Sequence, residues 1–197
     1  MILDLIKKTR SYRRYDPTKP VTREDVAAFV DAARLTGSAG NLQKLRYLPV
    51  TDPAEVAWLT RSVKWAAYLS DWEGPGEDEG PSAYLLLLSP HDSGVSGIDV
   101  GLSSEALLLA ATERGFGGCM ILNFPREEII ERYGLSGKYR VELVISLGTP
   151  REKVVITEPV EGNIKYYRDG DGVHYVPKRS LSEVLLPEPI PNARTKG

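Results

Sequence analysis

Apolar residues recur at helical spacing from the first turn of the chain. Ile2, Leu5 and Ile6 share one face of a short amphipathic helix predicted over 1–8, with Lys7 and Lys8 where the helix dipole favours cations. The prolines of 16–20 mark a loop. Thr22 then suits an N-cap, Glu24 and Asp25 the first turn, and Val26, Phe29, Val30 and Ala33 the buried stripe of a second helix ending near Leu35, with Gly37 as its stop. Residues 46–51 read as a strand, placed at an edge or bulge by Pro49. Asp52 caps, and Pro53 opens, a helix over 53–62 that 64–69 can continue. The unbroken apolar run 84–88 predicts a central strand buried on both faces. The longest helix is expected over 99–114. It is apolar all round at 106–111, so it either runs through the middle of the domain or packs against a second subunit. A short strand leaving a glycine-rich bend (117–124), a helix (125–133) and a centrally placed strand (139–148) follow. From Arg151 the chain reads as extended and polar, with a short helix over 181–186. Helices and strands mixed in this way predict an α+β or α/β domain, one sheet covered by helices.

The chain has 197 residues, which suits a single domain over 1–197, with 151–197 an extended tail wrapping the body or a partner subunit. A net charge of −2 excludes a global field for nucleic acid, so any phosphate site must be local. One cysteine, Cys119, excludes an intrachain disulfide, and with only His91 and His174 beside it no zinc site is expected. No secretory signal and no apolar run of membrane-spanning length is visible, which predicts a soluble cytoplasmic protein. The segment 71–81, rich in Gly, Pro and acids with Trp72 its one large apolar residue, reads as an exposed loop or lid.

Hydrolytic chemistry finds no support. There is no Gly-x-Ser-x-Gly elbow, both histidines lie in loop-like sequence, and Cys119 reads as a small buried residue. Walker A and Gly-x-Gly-x-x-Gly motifs are absent. Phosphate donors do stand at both ends of the chain: Arg10, Ser11 and Arg13 near the start, Lys178 and Arg179 near the finish. Arginine suits phosphate because its planar fork donates two parallel hydrogen bonds. Between them lie the small polar turn 38–43, where Gly40 leaves backbone N–H groups open to a ligand, and the 117–123 bend. The set fits a cofactor with a phosphate tail and a flat polar head.

The order of these motifs resembles the nitroreductase family of flavin enzymes. Arg10-Ser11-Tyr12-Arg13-Arg14-Tyr15 is similar to its R-S-x-R-x-F signature, and Ser38-Ala39-Gly40-Asn41-Leu42-Gln43 to its S-x-x-N-x-Q turn. The run 107–117 resembles its central helix and glycine turn, Leu147-Gly148-Thr149-Pro150 its strand end, and Val176-Pro177-Lys178-Arg179 its C-terminal basic motif. The resemblance implies an α+β homodimer with a central sheet flanked by helices, the long helix at the dimer interface and FMN held non-covalently between subunits. It implies that Arg10, Ser11, Lys178 and Arg179 meet the phosphate, and that Arg13 lies near the ring, stabilising negative charge at its N1–C2=O2 edge, with Lys64 a weaker candidate. It further implies that Ser38 and Asn41 come from the other subunit, and that the backbone of Ile121, Leu122 and Asn123 passes the reactive edge. Arg14 is left as a solvated cation. The implied activity is ping-pong reduction of nitroaromatics, quinones or related acceptors by NAD(P)H; the alternative is a non-catalytic flavin-binding or carrier protein of the same fold. Two departures stand out: Thr9 where the family often has another arginine, and Leu45 within Gln43-Lys44-Leu45-Arg46-Tyr47 where it commonly reads Q-P-W-R-F.

Overall fold

The computed structural model describes residues 1–187. In chain order it contains α1 (Ile2–Lys8), β1 (Tyr15–Asp16), α2 (Arg23–Ala33), β2 (Arg46–Val50), α3 (Pro53–Ser62), β3 (Ala83–Pro90), α4 (Gly97–Glu113), β4 (Gly117–Ile121), α5 (Arg126–Arg132), β5 (Tyr139–Pro150), β6 (Val154–Thr157), β7 (Tyr167–Arg168), β8 (His174–Pro177) and α6 (Leu181–Val184). They divide into two compact units, one over Met1–Lys153 and one beginning at Val154.

Local chemistry starts the helices where the sequence predicts. The Thr22 hydroxyl accepts from the Asp25 N–H, and the Asp25 carboxylate accepts in return from the Thr22 N–H, closing a capping box on α2. Asp52 accepts from Ala54 and Glu55 at the start of α3. That helix stops at Ser62, where the chain turns extended at Val63, so 64–69 do not continue it. Instead the Lys64 N–H donates to the Asn123 carbonyl (2.9 Å). The competing partner is a backbone acceptor far away in sequence, which no local pattern displays.

The first unit is α+β, built on an antiparallel sheet in the order β1-β5-β3-β2, with β4 also paired to β5. β5 is its spine, flanked by β3 and β4 on its two sides and paired with β1 at its end. β2 is an edge strand, as Pro49 requires. β3 is buried from Ala83 to Ser89. Leu85 and Leu87 pack with Phe29 of α2, Leu107 and Ala111 of α4, and Leu143, Ile145 and Leu147 of β5. Tyr84 points to the opposite layer, where its hydroxyl meets that of Thr60 on α3 (3.0 Å). α5 joins that layer by the paired bonds of Arg132 to Glu55.

α4 is buried by its own chain along one face only, through Ser103, Ser104, Leu107, Leu108 and Ala111. Ile98 and Leu102 remain exposed, as do Ile2, Leu3 and Ile6 of α1.

The second unit carries more structure than an extended tail. β6 and β8 pair in parallel and β7 pairs antiparallel with β8. The rings of Tyr167 and Tyr175 stack at 5.0 Å. His174, read from sequence as a loop residue, is a buried strand residue beside the Tyr166 ring. Strands of two to four residues leave too little alternation to be read from sequence.

Candidate functional site

The basic segment after α1 is laid along β4. Ser11 forms a parallel bridge with Gly118, and the Tyr12 N–H donates to the Gly118 carbonyl (3.0 Å). Tyr15, fully buried, fixes the far end: its hydroxyl bonds the Tyr12 carbonyl and the Ser146 hydroxyl (2.8 Å), and its strand pairs with Pro150 of β5. Burial keeps the Tyr15 phenol well above the usual tyrosine range, so it stays a neutral donor. Two glycines permit this docking. A Cβ on Gly118 would strike the Ser146 carbonyl and Leu108, and one on Gly148 would lie 2.6 Å from the Tyr15 ring.

Along this segment the arginines part company. The Arg10 guanidinium donates to the Ile6 carbonyl (2.7 Å) at the end of α1, while its Nε is buried with no partner among the described residues. Ser11 is exposed. Arg13 is buried; its backbone N–H donates to the Glu152 carboxylate and its guanidinium to the Ser11 carbonyl (3.1 Å). Cys119 lies beside it. Burial pushes the Cys119 thiol up, with Arg13 pulling it partly back and Glu152 adding to the rise. Cys119 is thus the small buried residue its sequence context predicts. Arg14 is not a solvated cation: it pairs with Glu79 (3.1 Å) and lies 5.9 Å from the centre of the Trp72 ring, which meets Trp65 edge-on. With Tyr15 donating to the Glu79 carbonyl and Arg151 to that of Asp78, these contacts tie the 71–81 loop to the body.

Further along, β4 ends at Ile121, whose side chain is buried, while Leu122 is exposed. The Lys64–Asn123 backbone bond sets the exposed Lys64 beside this end. One rail therefore carries Arg10, Ser11 and Arg13 at its start and Lys64, Leu122 and Asn123 at its finish, within about 18 Å.

Ser38 and Asn41 lie elsewhere. Their turn is a single 3-10 turn, Ala39–Asn41, in which Gly40, Asn41 and then Gln43 take positive φ of 57°, 55° and 48°. Left-handed backbone at non-glycine residues persists only where neighbours over-determine it. Here the Ser38 hydroxyl accepts from the Gln43 N–H, the Asn41 side chain from the Gln43 amide, and the buried Asp99 carboxylate from the Ala39 N–H (3.0 Å). Sequence motifs do not point to Asp99. Its signal there is a charged residue in the first turn of an otherwise apolar helix. Thr9 anchors the other end of that helix: its buried hydroxyl bonds the Leu5 carbonyl and Thr112 (3.1 Å). From Asp99 to Thr112 α4 rises about 20 Å. Within one chain the Ser38–Asn41 turn and the Arg10–Arg13 segment are thus held near opposite ends of one helix.

Lys178 and Arg179 belong to the second unit. The Lys178 N–H bonds the Thr157 carbonyl (2.8 Å), both side chains are exposed, and Arg179 faces Glu183 at 3.9 Å. Among the described residues no cluster of three metal-ligating side chains occurs, and no helix is long and apolar enough to cross a membrane.

Compared with known proteins, residues 6–149 match the model of the Nitroreductase family. A protein of Archaeoglobus fulgidus, provisionally named an NADH dehydrogenase/NAD(P)H nitroreductase, is 28% identical over 162 residues, covering 77% of this chain and 86% of its own. The Bacillus subtilis protein YodC, provisionally named an NAD(P)H nitroreductase, is 24% identical over 183 residues, covering 74% and 88%. Among solved structures, a nitroreductase family protein from Streptococcus pneumoniae superposes with a TM-score of 0.65 at 21% identity, covering 81% of this chain and 96% of the other. One from Exiguobacterium sibiricum, solved in complex with FMN, gives a TM-score of 0.63 at 18% identity, covering 77% and 89%.

Proposed function

The chain belongs to the nitroreductase family of oxidoreductases, and on that premise we propose that it binds FMN and uses NAD(P)H to reduce nitroaromatics, quinones or related small acceptors. Bound FMN would supply the redox chemistry, taking hydride from NAD(P)H and passing the electrons to the acceptor in a ping-pong exchange. The chain's own residues hold, orient and stabilise charge.

The observation that carries this reading is the rail on β4. It offers phosphate-compatible donors at one end, including the Arg10 Nε that has no partner among the described residues, and a backbone edge with Lys64 at the other. Arg10 and Ser11 are the proposed phosphate donors. Arg13 is the proposed cation for negative charge on the ring, with Lys64 beside Leu122 and Asn123 at the ring's edge. Lys178 and Arg179 are further phosphate donors by resemblance alone. Thr9, occupied with Thr112, offers the phosphate nothing. The 71–81 loop is tied to the body through Arg14.

We further propose that the working unit is a homodimer. Ser38 and Asn41 are held about 20 Å along α4 from the Arg10–Arg13 segment, and the exposed apolar residues of α1 and α4 supply a surface for a second copy. A reversed copy would bring its own turn to the first chain's rail.

The direct test is the absorption spectrum of the purified protein, reconstituted with FMN, before and after anaerobic NAD(P)H. The expected result is a bound flavin band that bleaches with the reduced nicotinamide and returns with a quinone. Protein that takes up no FMN refutes the cofactor assignment, and bound flavin that NAD(P)H cannot bleach identifies a carrier.

Asp99→Ala tests the turn. Losing a charge-assisted hydrogen bond costs about 1.5 kcal/mol, so FMN affinity should fall roughly tenfold in a fluorescence titration. Unchanged affinity would remove Ser38 and Asn41 from the site.

A further inference from the structure

A cavity of about 550 Å³ lies among α3, the 17–21 segment and the 75–82 segment. Its volume is in the range that small-molecule sites occupy. None of its lining residues belongs to the group proposed for FMN.

One face of α3 forms a wall: Pro53, Val56, Ala57, Thr60 and Arg61 follow the spacing that aligns residues on a helix. The remaining walls include Pro17, Pro20, Val21, Pro75 and Pro81. Proline rings offer apolar surface with no N–H donor. Of the lining hydroxyls, that of Thr60 donates to the Val56 carbonyl and meets Tyr84, that of Ser82 accepts from the Val21 N–H, and that of Thr51 makes no hydrogen bond among the described residues. Two charged side chains in the lining, Arg61 and Glu77, make no ion pair or hydrogen bond among the described residues. The cavity is therefore a largely apolar body with the Thr51 hydroxyl and two exposed charges, Arg61 and Glu77, left unpaired among the described residues.

Arg61 is the better recognition group. It stands on a helix beside Ala57, whereas Glu77 stands on an irregular loop, and sites on regular elements are the more sharply positioned. Its guanidinium is weakly hydrated and matches an oxyanion with two parallel bonds. Glu77 then acts as a filter against a second negative charge. We propose that this cavity is a second ligand site, taking a small apolar monoanion whose carboxylate or sulfonate pairs with Arg61 while its body lies against the proline and α3 walls. The proposal does not depend on the flavin reading.

The test is calorimetric titration of the full chain, with and without saturating FMN, using 8-anilino-1-naphthalenesulfonate as probe and 1-naphthylmethylamine as a cationic counterpart. One sulfonate per chain is expected, unaffected by FMN, with the amine at least about tenfold weaker. Arg61→Ala should weaken the sulfonate about tenfold, Glu77→Gln should tighten it, and Ala57→Trp, which fills the cavity, should abolish it. Circular dichroism and melting check each fold; if Ala57→Trp is unfolded, Ala57→Leu takes its place with a smaller loss. Displacement by FMN, equal binding of the amine, no binding at all, or wild-type affinity in both the Arg61 and Ala57 variants would each overturn the assignment.

Discussion

Gly118→Ala is expected to cost the fold about 3 kcal/mol, the cost of forcing an atom into a packed interior that cannot yield. The argument rests on where the new methyl would go. It meets the Ser146 carbonyl and the side chains of Leu108 and Leu147, so a backbone oxygen of β5 blocks it rather than a flexible side-chain end. β4 would have to lift from β5. Because the Ser11 bridge and the Tyr12 N–H bond both use the Gly118 backbone, the N-terminal segment would lift with it. Urea unfolding should show a lower midpoint, and any FMN binding should weaken in parallel. Gly94→Ala, where nothing lies within 4 Å of the added carbon, serves as the near-neutral control. A wild-type midpoint for Gly118→Ala would contradict the docking of the basic segment on β4.

Arg13→Ala should lower the rate of flavin reduction by NAD(P)H roughly 100-fold, about 3 kcal/mol, the magnitude found where one preorganised donor to developing charge is removed. Arg13 is buried, so the change also removes packing, and a loss of rate alone would not separate the two roles. Two further measurements do. Arg13→Lys keeps a cation and should recover part of the rate, although it loses the planar fork. Arg13 also lowers the Cys119 thiol against the upward push of burial, so Arg13→Ala should raise that thiol further. The pH profile of Cys119 alkylation by iodoacetamide should therefore move to higher pH, a shift distinct from any change in absolute rate caused by altered access. The labelling shift needs no flavin. If it appeared without a change in reduction rate, Arg13 would be a neighbour of Cys119 and nothing more.

Helix ends were legible in the sequence because their causes are local. Thr22 with Asp25, and Asp52 with Pro53, act within four residues. Pro49 signalled an edge position or a bulge, of which the structure shows the edge, and the run 84–88 a buried strand, for the same reason: the signal lies in the element itself. The site was legible in part, as residues to watch rather than as an arrangement. Motif order picked out Arg10, Ser11, Arg13, Ser38 and Asn41. Their placement depends on partners distant in sequence, namely Gly118 for Ser11, Glu152 for Arg13 and Asp99 for the 38–43 turn. Arg14 reads as solvated in the sequence because Glu79 and Trp72, which hold it, stand in a loop whose composition looks exposed. Gly117 and Gly118 read as a bend and Gly148 as a strand end, and their work in the fold is to let Tyr12 and Tyr15 close on the sheet.

α4 separates the Arg13 end of the chain from the Asn41 end, and in the proposed twofold dimer that separation has a genetic consequence. A variant damaged at Arg13 and another damaged at Asn41 would each be defective in both of their own sites. Co-expressed, they would assemble mixed dimers in which one site draws Arg13 from the second variant and Asn41 from the first, both intact, while the other site carries both lesions. Two inactive alleles would then complement each other, with the mixed dimer regaining one working site of its two.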